Sequence, residues 1–354
     1  VVVAYGTQKK SSITGAITQV RNEELLKRPV TSVTSALEGS TPGITVTGNY
    51  GSPGSDPTVL IRGIGTVNGS TSPLYVIDGV PYGGNISDLN MEDIETMSIL
   101  KDAASAALYG NRASNGVILI TTKKSKSERI QFNFKTNQGW YERALPEYER
   151  TNPFQFMEVE YQNAANAFVH GGGDRTDKQA ILNAVNSTLI PDRLYVNIFN
   201  KPDDQLFTLD GKMAADASII DGYAGDLDWF DQATRKGYRS EYQFSGSGAT
   251  SKSDYYFSLS YLDENGYMKD SGFDRLTGRM AVNIKPVKWL RAGMSINASH
   301  QKFQNTSNGV GDGSSSYSNP FYFCRYMAPI YPVHSHYTET GTVYDNAGTP
   351  IQVN

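Results

Sequence analysis

From Arg129 onward the chain alternates apolar and polar residues with a period of two, and it does so in five separate segments. In the first, Ile130, Phe132, Phe134 and Thr136 share one face while Gln131, Asn133, Lys135 and Asn137 share the other. The second sets Tyr242, Phe244, Gly246 and Gly248 against Glu241, Gln243, Ser245 and Ser247. The third sets Tyr255, Phe257, Leu259 and Tyr261 against Asp254, Tyr256, Ser258 and Ser260. The fourth opposes Leu276, Gly278, Met280, Val282 and Ile284 to Arg275, Thr277, Arg279, Asn283 and Lys285; the fifth opposes Leu290, Ala292, Met294, Ile296 and Ala298 to Arg291, Ser295, Asn297 and Ser299. Successive side chains of a strand point to opposite faces, so each segment offers one side to an apolar medium and the other to water. One such segment is equally at home in a soluble antiparallel sheet over a core. Five in succession, each of about 10 residues, match strands that cross a bilayer at a tilt, with lipid outside and a wet lumen inside.

Composition supports that setting: 22 Tyr, 14 Phe, 3 Trp and 34 Gly in 354 residues suit a barrel whose aromatic rings sit at the two membrane interfaces. Helical spans are excluded, because mean hydropathy is -0.43 and no apolar run approaches the ~20 residues such a span needs. A net charge of -4 gives no support to nucleic-acid binding, and Lys123, Lys124, Lys126 and Arg129 read as a solvated linker. The single cysteine, Cys324, permits no internal disulfide and no cysteine-based metal site. Val1 opens inside an apolar run with no charged segment before it, so there is no signal peptide to read and the chain is expected to start mid-protein.

Connection lengths add direction. Ala249 to Ser253 and Lys285 to Lys288 are tight turns, whereas 141–238 and 301–354 are long and rich in Gly, Asn, Ser and Asp. Short on one rim and long on the other is the asymmetry of outer-membrane barrels, with the short turns in the periplasm. The first strand then runs outward, and the long loops are extracellular. The segment 141–238 is too long for a bare loop and is expected to carry helices near 152–167 and 177–186, capping the outer mouth or binding a partner. Five strands cannot close around a stopper, and an open edge is not tolerated in lipid, so a larger wall is expected.

That stopper precedes the strands. Leu74 to Ile77 is a short β-branched and aromatic run closed by Asp78-Gly79 and Pro81, which predicts a strand and a turn. A second strand, Glu95 to Leu100, gives way at Asp102, whose carboxylate can cap a helix Ala103 to Tyr109 that Gly110 stops. Val117 to Thr122 shows no polar alternation, as in a strand covered on both faces. The fold class is therefore an α+β plug domain inside a large antiparallel transmembrane β-barrel, of which only the N-terminal strands are present. Residues 1–10 form an N-terminal segment, 11–125 the plug, and 126–354 the first part of the barrel with its long loops.

Single residues stand out for their chemistry. Arg62, between the apolar Leu60-Ile61 and Gly63, is expected to be partly buried and ion-paired with a barrel-wall carboxylate, holding plug to barrel; a surface Arg at the end of a strand is the alternative. Arg275, Arg279, Lys285, Arg291 and Lys135 on the lumen side, against Glu241 and Asp254, leave open a preference for anionic ligands. No catalytic arrangement is evident. His334 and His336 have no carboxylate or third imidazole at ligand spacing nearby. Asp221, Asp226, Asp228 and Asp231 miss the pattern of a helix–loop–helix calcium loop and read as caps and turn formers, leaving bound calcium elsewhere open. Gly63-Ile64-Gly65 lacks the rest of a dinucleotide fingerprint, and there is no Gly-x-Ser-x-Gly elbow. Neither an enzyme nor a resident cofactor or metal is expected.

Several ordered motifs then carry a resemblance: VVVAYGTQKK at 1–10, TGAITQV at 14–20, ALEGSTPGITV at 36–46, GSPGSDPTVLIRGIGT at 51–66, PLYVIDGVP at 73–81 and ILKDAASAALYGNRASNGVILITTKK at 99–124. Together they resemble the plug of the SusC/RagA family of TonB-dependent outer-membrane transporters. DLDWFDQ at 226–232, the stretch 255–275 and VKWLRAGMSIN at 287–297 resemble its barrel more loosely.

The resemblance implies active import of oligomeric nutrients across the outer membrane of a Gram-negative bacterium. Oligosaccharide comes first and oligopeptide second as cargo, with a SusD-like surface lipoprotein as lid and outer-membrane lipid around the barrel. Energy would come from the proton-motive force through TonB and its inner-membrane ExbB/ExbD motor. It also implies that Val1, Val2, Val3, Ala4 and Tyr5, facing the periplasm, bind TonB; an extended segment with free backbone groups suits strand addition, although Val1 to Val3 as an edge strand of the plug fit the residues too. With the family's orientation, plug loops bearing Asn49, Tyr50, Asn68, Tyr82 and Asn85 would face the substrate. A structural or signalling subunit of a larger outer-membrane assembly is the alternative.

Overall fold

The computed structural model describes residues 2–3, 6–7, 17–27, 32–48, 53–66, 69–102, 107–125, 127–142, 147–304, 320–336, 343–344 and 350–351. The chain divides into two compact units, Val1–Glu142 with Lys236–Thr306, and Arg143–Arg235 with Ser307–Asn354. Plug and wall strands thus fall in one unit, and the two long connections fold into the other.

The first unit opens with two short strands, β1 (Val2–Val3) and β2 (Gly6–Thr7), which pair antiparallel. The plug sheet follows, built from β3 (Ile17–Arg21), β6 (Leu74–Ile77), β7 (Val80–Tyr82), β8 (Ile94–Leu100) and β9 (Val117–Thr122). Strand order is β3-β8-β9-β6-β7, with β9 parallel to β6 and antiparallel to β8. This central place explains the uninterrupted apolar run of β9, since neither of its faces meets water. Asp78 and Gly79 (φ 48° and 91°) form the left-handed two-residue turn that hairpins favour, and they join β6 to β7. Pro81 is accommodated because β7 is an edge strand. A separate hairpin, β4 (Ile44–Thr47) with β5 (Thr58–Ile61), covers a core that includes Val20, Leu37, Val59, Met97, Ile99, Ile118 and Ile120. The helix expected at Ala103 to Tyr109 differs: 103–106 lie outside the described residues, and Ala107–Ala113 forms tight 3-10 turns kinked at Gly110 (φ 68°).

The wall is a five-stranded antiparallel meander in sequence order, β10 (Gln131–Tyr141), β11 (Gly237–Ala249), β12 (Ser253–Asn265), β13 (Gly272–Val287) and β14 (Leu290–Gln304). All five alternating segments form strands, paired so that Phe134, Phe244, Leu259 and Gly278 line up across the sheet. The strands run longer than the clean alternation. Their apolar sides face outward: Phe134 is 69% exposed, Leu259 56% and Ile296 49%. On that side Phe132, Phe244 and Phe257 cluster over Gly246, where a side chain would collide with the Phe257 ring. The connection between β12 and β13, residues 266–271, is also short, so long loops do not mark every link on that rim.

In the second unit, the helix Pro153–His170 starts at an Asn152/Gln155 capping box, and the helix Lys178–Thr188 starts at Asp177. Both lie where the sequence places them. They bury Met157, Tyr161, Ala164 and Val185 with Leu206, Phe207, Tyr223 and Ile330.

Candidate functional site

The inward side of the wall is covered along β11 to β13, while the polar side chains of β14 and most of those of β10 are exposed. Arg239, Gln243, Ser258, Ser260, Arg275, Thr277 and Arg279 are all buried, and the two arginines of β13 meet the plug. Arg275, 2% exposed, donates from Nη1 to the carbonyls of Ser87 (2.7 Å) and Leu89 (3.3 Å). The Ser87 amide in turn donates to Asp56 Oδ2 (2.9 Å), whose other oxygen accepts from the hydroxyls of Ser32 and Thr34. One guanidinium on β13 is thereby tied through a buried loop to the middle of the plug. A charge this deep is tolerated only when paired, and removing a partner costs several kcal/mol.

Four residues along β13 lies the second such contact. Arg279 donates to the Lys123 carbonyl (3.1 Å) and to Thr122 Oγ1, pairs with Asp78 Oδ2 at 3.7 Å, and stands 5.2 Å from the centre of the Tyr256 ring. Tyr256 on β12 donates its hydroxyl to Asp93 Oδ1 at 2.8 Å. Burial pushes the Asp93 carboxyl above its usual range, against hydrogen bonds from Ser258 and Tyr256 and the charges of Arg279 and Lys123. Lys135 on β10 pairs with Glu92, which also faces Lys123 at 3.8 Å. At the other end of the contact, Gly54 (φ 71°) leaves room for the Phe273 ring, into which any side chain would run.

The expected residues are distributed differently. Arg62 is exposed, and its backbone is left-handed (φ 61°), which turns its side chain away from the core. Among the described residues no carboxylate pairs with it. It lines a cleft of about 450 Å³ with Lys101, Asn111 and Asn115. Burial and the Arg62 charge hold Lys101 below its usual range. Among the described residues the ion pairs between plug and wall run the other way, with cations on the wall and carboxylates on the plug. Arg275 and Arg279, read as ligand-facing cations, are spent on the plug. Tyr82 packs against the plug core and donates to Asp88 at 2.8 Å, with its pKa pushed up to about 12, first by burial. Asn85 is exposed. Asn49, Tyr50 and Asn68, like Val1, Ala4 and Tyr5, lie outside the described residues, while the backbone of Val2–Val3 pairs with Gly6–Thr7 rather than standing alone.

Sequence reading missed Glu92, Asp93 and Tyr256. The signal available was the pair Arg275 and Arg279 on the inward side of one strand, which requires acidic or carbonyl partners, and the Glu92-Asp93 doublet just before β8. In the second unit, Asp228 caps the helix Trp229–Ala233 as expected. Asp226 does more than form a turn: its fully buried carboxylate contacts His334 Nδ1 (2.6 Å) and His336 Nε2 (2.7 Å). The carboxylate that seemed missing near those histidines therefore comes from 108 residues away. Among the described residues no group of His, Cys, Asp and Glu could hold a metal ion.

A sheet with its apolar side outward, and an α+β domain docked by arginines on its inward side, define the plug and wall of an outer-membrane pore. Residues 9–117 match the TonB-dependent Receptor Plug Domain. The chain is 30% identical to the TonB-dependent receptor SusC of Bacteroides thetaiotaomicron over 98% of its own length and 30% of that protein's. It is also 30% identical to the TonB-dependent receptor P39 of Formosa agariphila, over 89% of this chain and 26% of the relative. Among solved structures it superposes on the RagAB peptide importer in its open-open state with a TM-score of 0.69 and 25% identity, covering 90% of this chain and 34% of that one. The chain is thus similar to SusC/RagA-like TonB-dependent receptors, as a plug domain with part of a barrel wall. It spans between about a quarter and a third of the length of these relatives.

Proposed function

We propose that the full-length protein is an outer-membrane importer of oligomeric nutrients, energised through TonB and the ExbB/ExbD motor. The observation that carries this reading is a separately folded plug seated against the inward face of the wall: a pore so occluded passes cargo only if the plug is moved. The segment Val1 to Tyr5 is the proposed grip for TonB by strand addition, with β2 displaced from Val2–Val3 when it engages. A SusD-like lipoprotein is the proposed partner at the surface. Oligosaccharide and oligopeptide are the cargo classes, the second supported by the RagAB likeness. Arg62, exposed in a cleft that Lys101 and Asp102 also line, is proposed to take a carboxylate from the wall beyond these five strands.

Deleting Val1 to Tyr5 from the full-length protein tests the reading. Growth on oligosaccharide mixtures or peptide digests as sole carbon source is expected to be lost for one of the two, with the protein still present in the outer membrane. Unchanged growth on both, with the protein recovered only among other assembly subunits, would assign it a scaffold role instead.

A further inference from the structure

Three links of the wall come together at one rim. The Ala249 amide donates to the Ser127 carbonyl (2.8 Å) and the Lys285 amide to the Lys252 carbonyl (2.6 Å), so the entry to β10, the β11–β12 turn and the β13–β14 turn lie side by side. Each brings cations: Arg129, then Lys252, then Lys285 with Lys288, all exposed. Of the acids beside them, Glu128 is exposed and Asp254 accepts from Asn283 Nδ2 at 2.7 Å. At the opposite end of β12 and β13 the balance reverses, because 263–274 carries Asp263, Glu264, Asp270 and Asp274 against Lys269. The basic rim also borders the outward apolar side. Ile130, Ile284, Val287 and Leu290 are exposed along that border, and Trp289 in the β13–β14 turn is 83% exposed. A Trp at the end of a lipid-facing strand sits at headgroup level, and lysines beside it reach the same level by laying their stems along apolar surface.

We propose that this rim binds the headgroups of anionic phospholipids in the periplasmic leaflet, with Arg129, Lys252, Lys285 and Lys288 on the phosphates and Trp289 among the glycerol groups. A lipid fits better than a soluble anion because the cations stand on a convex edge that continues the outward apolar side. It fits better than a protein because that edge is the boundary of a surface suited to hydrocarbon. The inference rests on two readings, that the outward side faces lipid and that the short turns face the periplasm. It does not rest on energised import, and lipid binding is measured without transport, so either reading can fail alone. Electrostatic attraction to an anionic surface falls off within a Debye length, which confines the effect to lipids in contact with these turns.

The test uses the full-length protein in phosphatidylcholine vesicles, with a fluorophore attached through Ser251→Cys in the β11–β12 turn; Cys324 is buried. Brominated lipids quench the fluorophore only when they occupy the adjoining site. Brominated phosphatidylglycerol is expected to bind there about fivefold or more tightly than brominated phosphatidylcholine, fivefold being the worth of one cation at an anionic surface. The combined variant Lys252→Gln, Lys285→Gln and Lys288→Gln should bring that ratio to about one. Lys285→Gln alone should lower it part of the way, and decides the matter if the combined variant fails to insert. Inorganic phosphate at millimolar concentration should leave the quenching unchanged. Equal quenching by the two lipids, or a preference that survives the combined variant, would overturn the proposal. Displacement by inorganic phosphate would overturn it in favour of a free-anion site. Unbrominated lipid A competing better than unbrominated phosphatidylglycerol would overturn it too, by assigning the rim to the outer leaflet.

Discussion

The two five-stranded sheets of the first unit bury opposite things. The plug sheet hides Met97, Ile99, Ile118 and Ile120 and leaves polar groups at its margins, as any water-soluble domain does. The wall sheet hides Arg275, Arg279, Ser258 and Ser260 and turns Phe134, Leu259 and Ile296 outward. A period of two is compatible with either arrangement; which face becomes the inside is decided by the medium around the sheet. An outward apolar side suits lipid, which leaves the polar side as the interior, and a polar interior is filled best by a partner that answers its charges. The plug is that partner, which is why its margins carry Asp56, Asp78, Glu92 and Asp93.

Placing a charge on each buried or lipid-facing side should separate the sheets. Met97→Asp puts a carboxylate into the plug core without a partner, an expected cost of about 4 kcal/mol or more. It should abolish protease resistance of the plug while the wall still assembles. Leu259→Arg on the outward side should cost roughly 2–4 kcal/mol near the bilayer midplane, read as reduced folding into vesicles. If Leu259→Arg assembled as well as the parent protein while Arg275→Met did not, the outward face would not be the lipid face.

Two buried carboxylates sharpen the same lesson, since burial alone does not fix their behaviour. Asp93 is raised, first by burial, so its contribution to stability is present below the ordinary carboxylate range and lost as pH rises through its elevated pKa. For Asp226 burial also pushes upward, but hydrogen bonds from His336, His334 and the His334 amide outweigh it and leave the carboxyl low. Its contribution is present above the ordinary range and lost only as pH falls through that depressed value. Hydrogen exchange measured from neutral to acid pH should therefore show protection growing around residue 93 and holding around 226 and 330–336. The smallest effect is expected at Lys178, whose pair with Asp210 is exposed on both sides. Lys178→Ala should leave the melting temperature unchanged within error.

Much of this was legible in the sequence. The five alternating segments, the strands Leu74 to Ile77 and Val117 to Thr122, the turn at Asp78-Gly79 and the two helices near 152 and 177 follow from periodicity and capping chemistry, which are local. What was not legible is long-range pairing. Arg279 meets Thr122 from 157 residues away, Tyr256 meets Asp93 from 163, and Asp226 meets the two histidines from the far side of the wall strands in sequence. Arg62 stands exposed at a left-handed turn, Arg62-Gly63 (φ 61° and 91°), which a strand-and-turn pattern does not reveal.

The central claim is that the wall's outward side meets lipid and its inward side meets the plug. A spin-label accessibility scan along β12 of the full-length protein in lipid vesicles, residues 254–261, tests it most directly. The account predicts that labels at 255, 257, 259 and 261 are reached by oxygen dissolved in the bilayer and not by a water-soluble relaxation agent, while labels at 256, 258 and 260 are reached by neither. Water-soluble access at 257 and 259, or no alternation along the strand, would contradict it.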